Sequence, residues 1–297
     1  MAELRLGLVG HGIGHSLSPA LHVAGLHALG LSGNYRLFDV GHASQAAAVM
    51  DLVRSGELDG LNVTTPFKEL AARHVDHALV DGPLNTILAD RRGDATRLIG
   101  RSSDGLGFFA ALQGVGIAVP SRLDAGGLRF GLFGAGGAAE AVALALIARG
   151  ASLVWVRARR IEAADALVAR CGQGTALTWF DPRPAAGVEL AIHATRLGHG
   201  GHAFSDAERA ALAPMRAAAS AEGVVVVDLV YARPPALTPV ELALSPAGVD
   251  ARGVAVHVGA EMLAAQAAIS LGWWTHRPPP FAAMRAAIGL RPRASPS

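Results

Sequence analysis

Short continuous apolar runs closed by glycine or polar clusters alternate with longer alanine- and leucine-rich stretches of helical spacing, and this alternation predicts strands feeding helices. Leu4 to Val9 reads as a buried strand, followed by a glycine-rich turn and a helix that Pro19 opens and that runs to about Leu29. Strands follow at Asn34 to Val40 and Asp59 to Thr64, with an alanine-rich helix from Ala43 to Ser55 between them. Pro66 suits the first turn of the next helix, which puts Lys68 in that turn. The stretch from Gly82 to Ile87 turns into another strand with Asn85 at its mouth. Leu98 to Gly100 then leads to Asp104, ahead of a helix with apolar positions at Leu106, Phe109, Ala110 and Leu112. A second unit begins near Gly126. It has strands at Leu128 to Phe133, Ser152 to Val156, Glu189 to Ala194, Val224 to Leu229 and Val254 to Val258. Helices are expected after Gly134, from about Asp206, from Gly259 to Trp273 and from Phe281 to Ile288, with Trp273 and Trp274 as packing residues.

Composition narrows the class. The chain has 297 residues, about half of them apolar, which is enough for a large core and suggests about two domains. No apolar run approaches the roughly 20 residues of a membrane span, and the N-terminus lacks a basic segment followed by an apolar one, so neither a membrane nor secretion is indicated. One cysteine, Cys171, excludes an internal disulfide and fits a reducing cytoplasm. The formal net charge is only +2, the arginines are dispersed and aromatics are scarce, so nucleic acid is not an expected partner. The Pro/Arg/Ser tail from Arg291 to Ser297 reads as disordered.

Four stretches carry chemistry. Lys68 is the only lysine, every other basic side chain of the Lys and Arg set being arginine. An ammonium kept where guanidinium serves elsewhere points to proton exchange, which arginine cannot perform. The alternative is a surface lysine without a role. Ser16 and Ser18, in Gly14-His-Ser-Leu-Ser-Pro19, sit just ahead of a helix N-terminus, where hydroxyls and free amides suit a carboxylate; the alternative for Ser18 is a plain helix cap. His11 and His15 are four apart but lie in a glycine-broken loop rather than on a helix face, so no metal is expected. In isolation, Asp104 reads as an N-cap.

The fourth stretch is Gly134, Ala135, Gly136, Gly137 and Ala138. These residues follow a strand and open a helix, the context in which a Gly-x-Gly-x-x-Ala pattern indicates a dinucleotide pyrophosphate at a helix N-terminus. At the end of the next strand stand Arg157, Arg159 and Arg160, with no acid before Glu162, which favours a 2′-phosphate and hence NADP over NAD. Glu140, in the first turn of the loop's helix, is expected to repel a nearby phosphate.

Together these pieces resemble the shikimate dehydrogenase family. The matching residues are Gly14 to Pro19, Asn62-Val-Thr-Thr-Pro66 with Lys68, Asn85-Thr86, Asp104-Gly-x-Gly107, the Gly134 loop, Asp228-x-x-Tyr231, and Gly259 with Met262, Leu263 and Gln266. The resemblance implies an N-terminal α/β substrate domain over residues 1–104, completed by helices at 259–290, a Rossmann NADP-binding domain over 105–258, and an active site in the cleft between them. It implies that Lys68 and Asp104 form the catalytic pair and that Ser16 and Ser18 bind a substrate carboxylate. Asn62, Thr64, Asn85 and Gln266 would bind its hydroxyls, Tyr231 would line the substrate, and Leu229 and Gly259 would face the nicotinamide. The implied activity is cytoplasmic, NADP-dependent reduction of 3-dehydroshikimate to shikimate in aromatic amino acid biosynthesis, by a monomer or homodimer. Departures from the family pattern at Ser102, Glu140, Arg159, Arg160 and His193 leave two alternatives. One is a paralogue acting on quinate or a similar cyclic acid, and the other a non-catalytic NADP-binding sensor.

Overall fold

Two six-stranded sheets organise the chain, each within its own unit: Met1–Gly107 with Leu263–Ser297, and Phe108–Met262. The computed structural model describes residues 3–114, 127–183, 185–195, 197, 205–206, 210, 213–219, 224–231 and 254–290. The expected tail from Arg291, much of the helix from Asp206 and the segment after Tyr231 lie outside the described residues.

The first unit begins with β1 (Leu4–Gly10), α1 (Ser18–Ala28), β2 (Gly33–Asp39), α2 (Ala43–Ser55), β3 (Gly60–Val63) and α3 (Lys68–His74). It continues through β4 (His77–Ala78), β5 (Thr86–Asp90) and β6 (Arg97–Arg101). Its sheet has the order β2-β1-β3-β5-β6-β4. β1 pairs parallel with both β2 and β3, while β5 runs antiparallel to β3 and β6. β1 is buried from Leu6 to Gly10, as expected of a strand covered on both faces. α2 buries Ala46, Val49, Met50 and Val53, a single stripe of helical spacing, and ends at Gly56 in the left-handed conformation. That stripe packs with Val9, Leu61, Ile87 and Leu98 in one core cluster.

The second unit contains β7 (Arg129–Phe133), α5 (Gly137–Ile147), β8 (Ser152–Ala158), α6 (Ile161–Cys171), β9 (Thr175–Thr178) and β10 (Leu190–His193), then α7 (Ala213–Ala219), β11 (Val225–Asp228) and β12 (Val254–His257). α4 (Asp104–Gly114) and α8 (Gly259–Thr275) each contribute residues to both units, and α9 (Phe281–Ala287) belongs to the first. The order β12-β11-β10-β7-β8-β9 is parallel throughout. The chain works outward from β7 to β9 and returns to β10, so the direction of winding reverses between β7 and β10. Phe130, Leu132, Val156 and Ile192 pack against Val142, Ala143 and Leu146 of α5, while Phe133, Trp155, Ala191 and Val226 fill the opposite face with Met215 of α7.

The α/β architecture agrees with the apolar pattern. α6, β9 and the two-residue β4 are not among the elements expected above, although Ile161, Ala164, Leu167, Val168 and Cys171 of α6 are spaced as one helical stripe that packs on the core. One local expectation fails. α3 starts at Lys68 with Phe67 as its N-cap, so Pro66 lies outside the helix, joined to Thr65 by a cis peptide.

Candidate active site

In the first unit, parallel β1 and β3 bring their carboxyl ends to one edge. Gly10 is required there, because a Cβ would lie 2.4 Å from the Thr64 methyl and 2.6 Å from Ile13. The glycine loop after β1 is anchored by Asp39 at the end of β2, whose carboxylate accepts the Gly12 and Ile13 amides at 2.8 and 3.1 Å. Ser18 is the first residue of α1 and buried, not ahead of the helix as expected. It is Ser16 whose Oγ receives an amide, that of Ser18, at 3.2 Å. Leu17, the N-cap, supplies no side-chain hydrogen bond to the start of α1.

Lys68 is the first residue of α3, and its Nζ donates to Asp104 Oδ2 at 2.5 Å. Both side chains are nearly out of solvent, 10% and 1% exposed. The other carboxylate oxygen of Asp104 accepts from Asn85 Nδ2 at 3.0 Å and Gln266 Nε2 at 2.6 Å. Asp104 is therefore a junction of side chains from α3, the start of β5 and α8 rather than a helix cap. The amide of Asn85 is itself held by Ser103, whose N–H donates to Asn85 Oδ1 at 2.9 Å, and by the Thr86 hydroxyl at 2.9 Å. Removing one member of such a buried pair typically costs about 3–5 kcal/mol, because the remaining charge has no solvent to turn to.

Asn62 is half-buried at the end of β3. Tyr35 donates its hydroxyl to Asn62 Oδ1 at 2.8 Å, and Asn62 Nδ2 lies within 3.0–3.1 Å of Asn85 O, Thr86 Oγ1 and Ser270 Oγ. Behind Tyr35, the ring of His22 stacks at 4.3 Å with an interplanar angle of 3°. Burial is the main cause that pushes His22 from its ordinary 6.5 down to about 3, with contact to Asn62 opposing it in part. Thr86 belongs to the Asn85-Thr86 pair noted in the sequence, but Tyr35, His22, Ser103 and Ser270 carry no motif of their own; only the folded chain reveals them.

The second unit places Gly134, Ala135 and Gly136 between β7 and α5, with Gly137 and Ala138 as the first residues of α5. Gly134 has φ +117, and a Cβ on it would lie 2.7 Å from Ala194 O. Gly136 is the exposed N-cap of α5 and offers no side chain to the helix amides. A bare, glycine-lined helix start of this kind fits an anionic pyrophosphate. Glu140 is drawn away from that role: it is buried and paired with Arg170 of α6 at 2.7 Å. The expected repulsion is thereby offset by a cation that the linear sequence does not place nearby.

Arg157 corrects the expected basic cluster. β8 runs on to Ala158, so Arg157 lies on the same strand face as Trp155, fully buried. Its guanidinium donates to Asp181 O at 3.0 Å and to Arg183 O, and burial holds it below its ordinary value. It cannot reach a 2′-phosphate in this position. Arg159 and Arg160 are exposed just beyond the strand. Leu229 and Tyr231 are half-buried after β11. Gly259 starts α8 so close to that loop that a Cβ would lie 2.2 Å from Val230 O. Tyr231, Leu229 and Gly259 thus belong to the second unit or its helix start, while Ser16, Ser18, Asn62, Thr64, Lys68, Asn85, Asp104 and Gln266 belong to the first. Among the described residues, no group of three or more His, Cys, Asp or Glu side chains is arranged to hold a metal, and no helix is long and apolar enough to cross a membrane.

Residues 8–87 match the shikimate dehydrogenase substrate binding domain, and residues 259–288 match the shikimate 5′-dehydrogenase C-terminal domain. The NADP(+) shikimate dehydrogenase of Methylobacterium radiotolerans is 36% identical over 100% of this chain and 95% of its own length. The chain belongs to the shikimate dehydrogenase family. The corresponding enzyme of Gluconobacter oxydans is also 36% identical, over 84% of this chain and 85% of its own. The crystal structure of shikimate 5-dehydrogenase from Thermus thermophilus in complex with NADP(H) and shikimate superposes with a TM-score of 0.74 at 32% identity. That superposition covers 96% of this chain and 98% of the other. The two matched segments include Ser16, Ser18, Asn62, Thr64, Lys68, Asn85, Gly259 and Gln266. Asp104 and the Gly134 loop fall between those segments but inside the span shared with the full-length relatives.

Proposed function

We propose that this protein is an NADP-dependent shikimate dehydrogenase, interconverting 3-dehydroshikimate and shikimate. The observation that carries the reading is the buried Lys68–Asp104 pair, with Asn85 and Gln266 fixing the second carboxylate oxygen. Such a pair suits a reaction in which one oxygen gains and loses a proton while a C–H bond is made or broken beside it. The nicotinamide cofactor, when bound, supplies or accepts the hydride. The chain's own residues do the rest. Lys68 as ammonium stabilises the developing alkoxide and hands it a proton. Asp104 holds the amine in line through the 2.5 Å hydrogen bond. In the oxidative direction neutral Lys68 takes the hydroxyl proton.

Ser16 and Ser18 at the open start of α1 receive the substrate carboxylate. Thr64, Asn62, Asn85 and Gln266 face its hydroxyls. The Gly134 loop takes the pyrophosphate, Arg159 and Arg160 the 2′-phosphate, and Leu229 and Gly259 the nicotinamide side. The single cysteine is consistent with a cytoplasmic enzyme. Quinate-preferring members of the family often carry threonine at the position of Ser18, so the serine here favours shikimate.

The test is turnover of the purified protein with shikimate, quinate and related cyclohexene and cyclohexane carboxylates, each with NADP and with NAD, followed by the absorbance of the reduced nicotinamide. The expected result is a higher kcat/KM for shikimate than for quinate, and for NADP than for NAD. Preference for quinate overturns the substrate. Tight NADPH binding without turnover of any acid overturns the enzyme.

A further inference from the structure

At the reversal point of the second sheet stands a buried hydrogen-bonded series that the catalytic scheme does not use. His193, the last residue of β10, is the register partner of Asp228, the last residue of β11. Their side chains are 0% and 1% exposed, and His193 Nδ1 lies 2.7 Å from Asp228 Oδ1. On the other side of the ring, His193 Nε2 lies 2.5 Å from Thr195 Oγ1. Asp228 Oδ1 also accepts the Val230 amide at 2.9 Å, and Thr195 Oγ1 accepts the Leu197 amide at 3.0 Å.

The carboxylate fixes one end of the series: it only accepts, so Nδ1 carries the hydrogen and donates to Asp228. At the other end Nε2 and the Thr195 hydroxyl share a hydrogen bond, while the same oxygen accepts from Leu197. One imidazole thus joins the loop after β10 to the loop after β11.

What that joint holds is the peptide between Ala194 and Thr195. It abuts Gly134, where a Cβ would lie 2.7 Å from Ala194 O and 3.2 Å from Thr195 N. Ala194 N also donates to Phe133 O at 2.8 Å, and Leu229 N to His193 O at 3.0 Å. The carboxyl ends of β7 and β10 are therefore held edge to edge, the glycine loop against the peptide braced by His193, at the point where the winding reverses. In open parallel sheets a dinucleotide enters the crevice outside such a reversal point. Thr195, unlike His193 and Asp228, is only half-buried. An asparagine at position 193 would reach Asp228 but fall short of Thr195, so the brace depends on histidine.

We propose that His193 is a positioning residue for the dinucleotide: by bridging Asp228 and Thr195 it holds the Ala194–Thr195 peptide against Gly134 and sets the crevice for the pyrophosphate end of NADPH. The inference rests on the cofactor reading above. His193→Leu and Thr195→Val break the series on its two sides, while Thr195→Ser keeps the hydroxyl. Fluorescence titration with NADPH, KM values for NADPH and shikimate, and thermal melts separate the possibilities. His193→Leu and Thr195→Val are expected to weaken NADPH about tenfold, the effect of losing one net buried hydrogen bond, with KM for shikimate unchanged. Thr195→Ser is expected to restore the unmodified affinity. If His193→Leu does not fold, the Thr195 pair decides alone, Thr195 being only half-buried. Lower melting temperatures with unchanged NADPH affinity in Thr195→Val overturn the assignment and leave His193 as core packing. If the unmodified protein binds no NADPH, the cofactor reading falls and this inference falls with it.

Discussion

Both units place a glycine turn and a helix start at the carboxyl edge of parallel strands, but they fill that edge in opposite ways. In the first unit, β5 is antiparallel to β3 and β6, so its first residues meet the same edge as the last residues of β3 and β6. Thr64 and Lys68 after β3, Asn85 before β5 and Asp104 after β6 converge from positions far apart in the chain. The result is an edge built of side chains. In the second unit all described strands are parallel, so only segments that leave a strand reach the edge, and the loop after β7 that leads it is glycine and alanine. The result is an edge built of backbone amides. A mixed sheet suits a site that must fix functional groups, and a parallel one suits a site that must let an anion approach the main chain.

The sharpest way to break this contrast is at Lys68. Lys68→Ala is expected to lower kcat about a hundredfold or more while leaving NADPH affinity intact, because the loss is confined to the side-chain edge. Lys68→Arg should be nearly as damaging, since the charge stays but the proton cannot be exchanged. A near-normal kcat in either variant, measured at saturating substrate, removes Lys68 from the chemistry.

The two buried histidines extend the comparison. His193 has a partner on each nitrogen, whereas His22 Nδ1 has none and the ring is held by stacking and burial. Since His22 titrates near 3 in the folded protein and at 6.5 when exposed, the unfolded chain takes up the proton first as pH falls. Above 6.5 the group contributes no pH dependence; between 6.5 and 3 the native state loses stability progressively. At pH 5 the loss attributable to His22 is about 2 kcal/mol. Urea unfolding of His22→Phe and unmodified protein at neutral pH and at pH 5 should show that much less acid sensitivity in the variant. Equal slopes would mean that water reaches the ring.

At the backbone-built edge, charge should matter only for the cofactor. Replacing Arg159 and Arg160 together by alanine is expected to weaken NADPH about tenfold and leave NADH nearly unchanged, as only the former has a 2′-phosphate to pair. Tighter NADH than NADPH binding in the unmodified protein would refute the 2′-phosphate assignment. The smallest effect is expected at Arg170. It is 44% exposed, so Arg170→Ala should cost only about 1–2 kcal/mol of stability, less than a fully buried partner would. Glu140 without the Arg170 guanidinium should also weaken NADPH slightly. Arg170→Ala with Glu140→Gln should recover both, measured by melting and titration.

Much of this is legible before folding. The lone lysine and the Gly134 turn announce themselves because each is a local feature: a residue type found once, and a glycine spacing set between a strand and a helix. What the sequence conceals is register and facing. Arg157 looks available because its strand reads as ending at Val156, yet β8 runs two residues further and turns that guanidinium inward with Trp155. His193 and Asp228 are 35 residues apart, and only the pairing of β10 with β11 makes them neighbours. Glu140 looks hostile to phosphate because Arg170, 30 residues on, becomes its neighbour only when α6 packs beside α5.

The solitary lysine has a practical consequence for chemical labelling. Amine-directed reagents have a single side chain to modify in this protein, and it sits 8% exposed beside its carboxylate partner. Acylation or reductive methylation would therefore act as a counter of sites, since each modified side chain adds one mass increment at one known position. Coupling through side-chain amines to a surface or a dye would take the protein by its buried amine, so immobilisation and fluorescent tagging are better routed through Cys171 or an added tag.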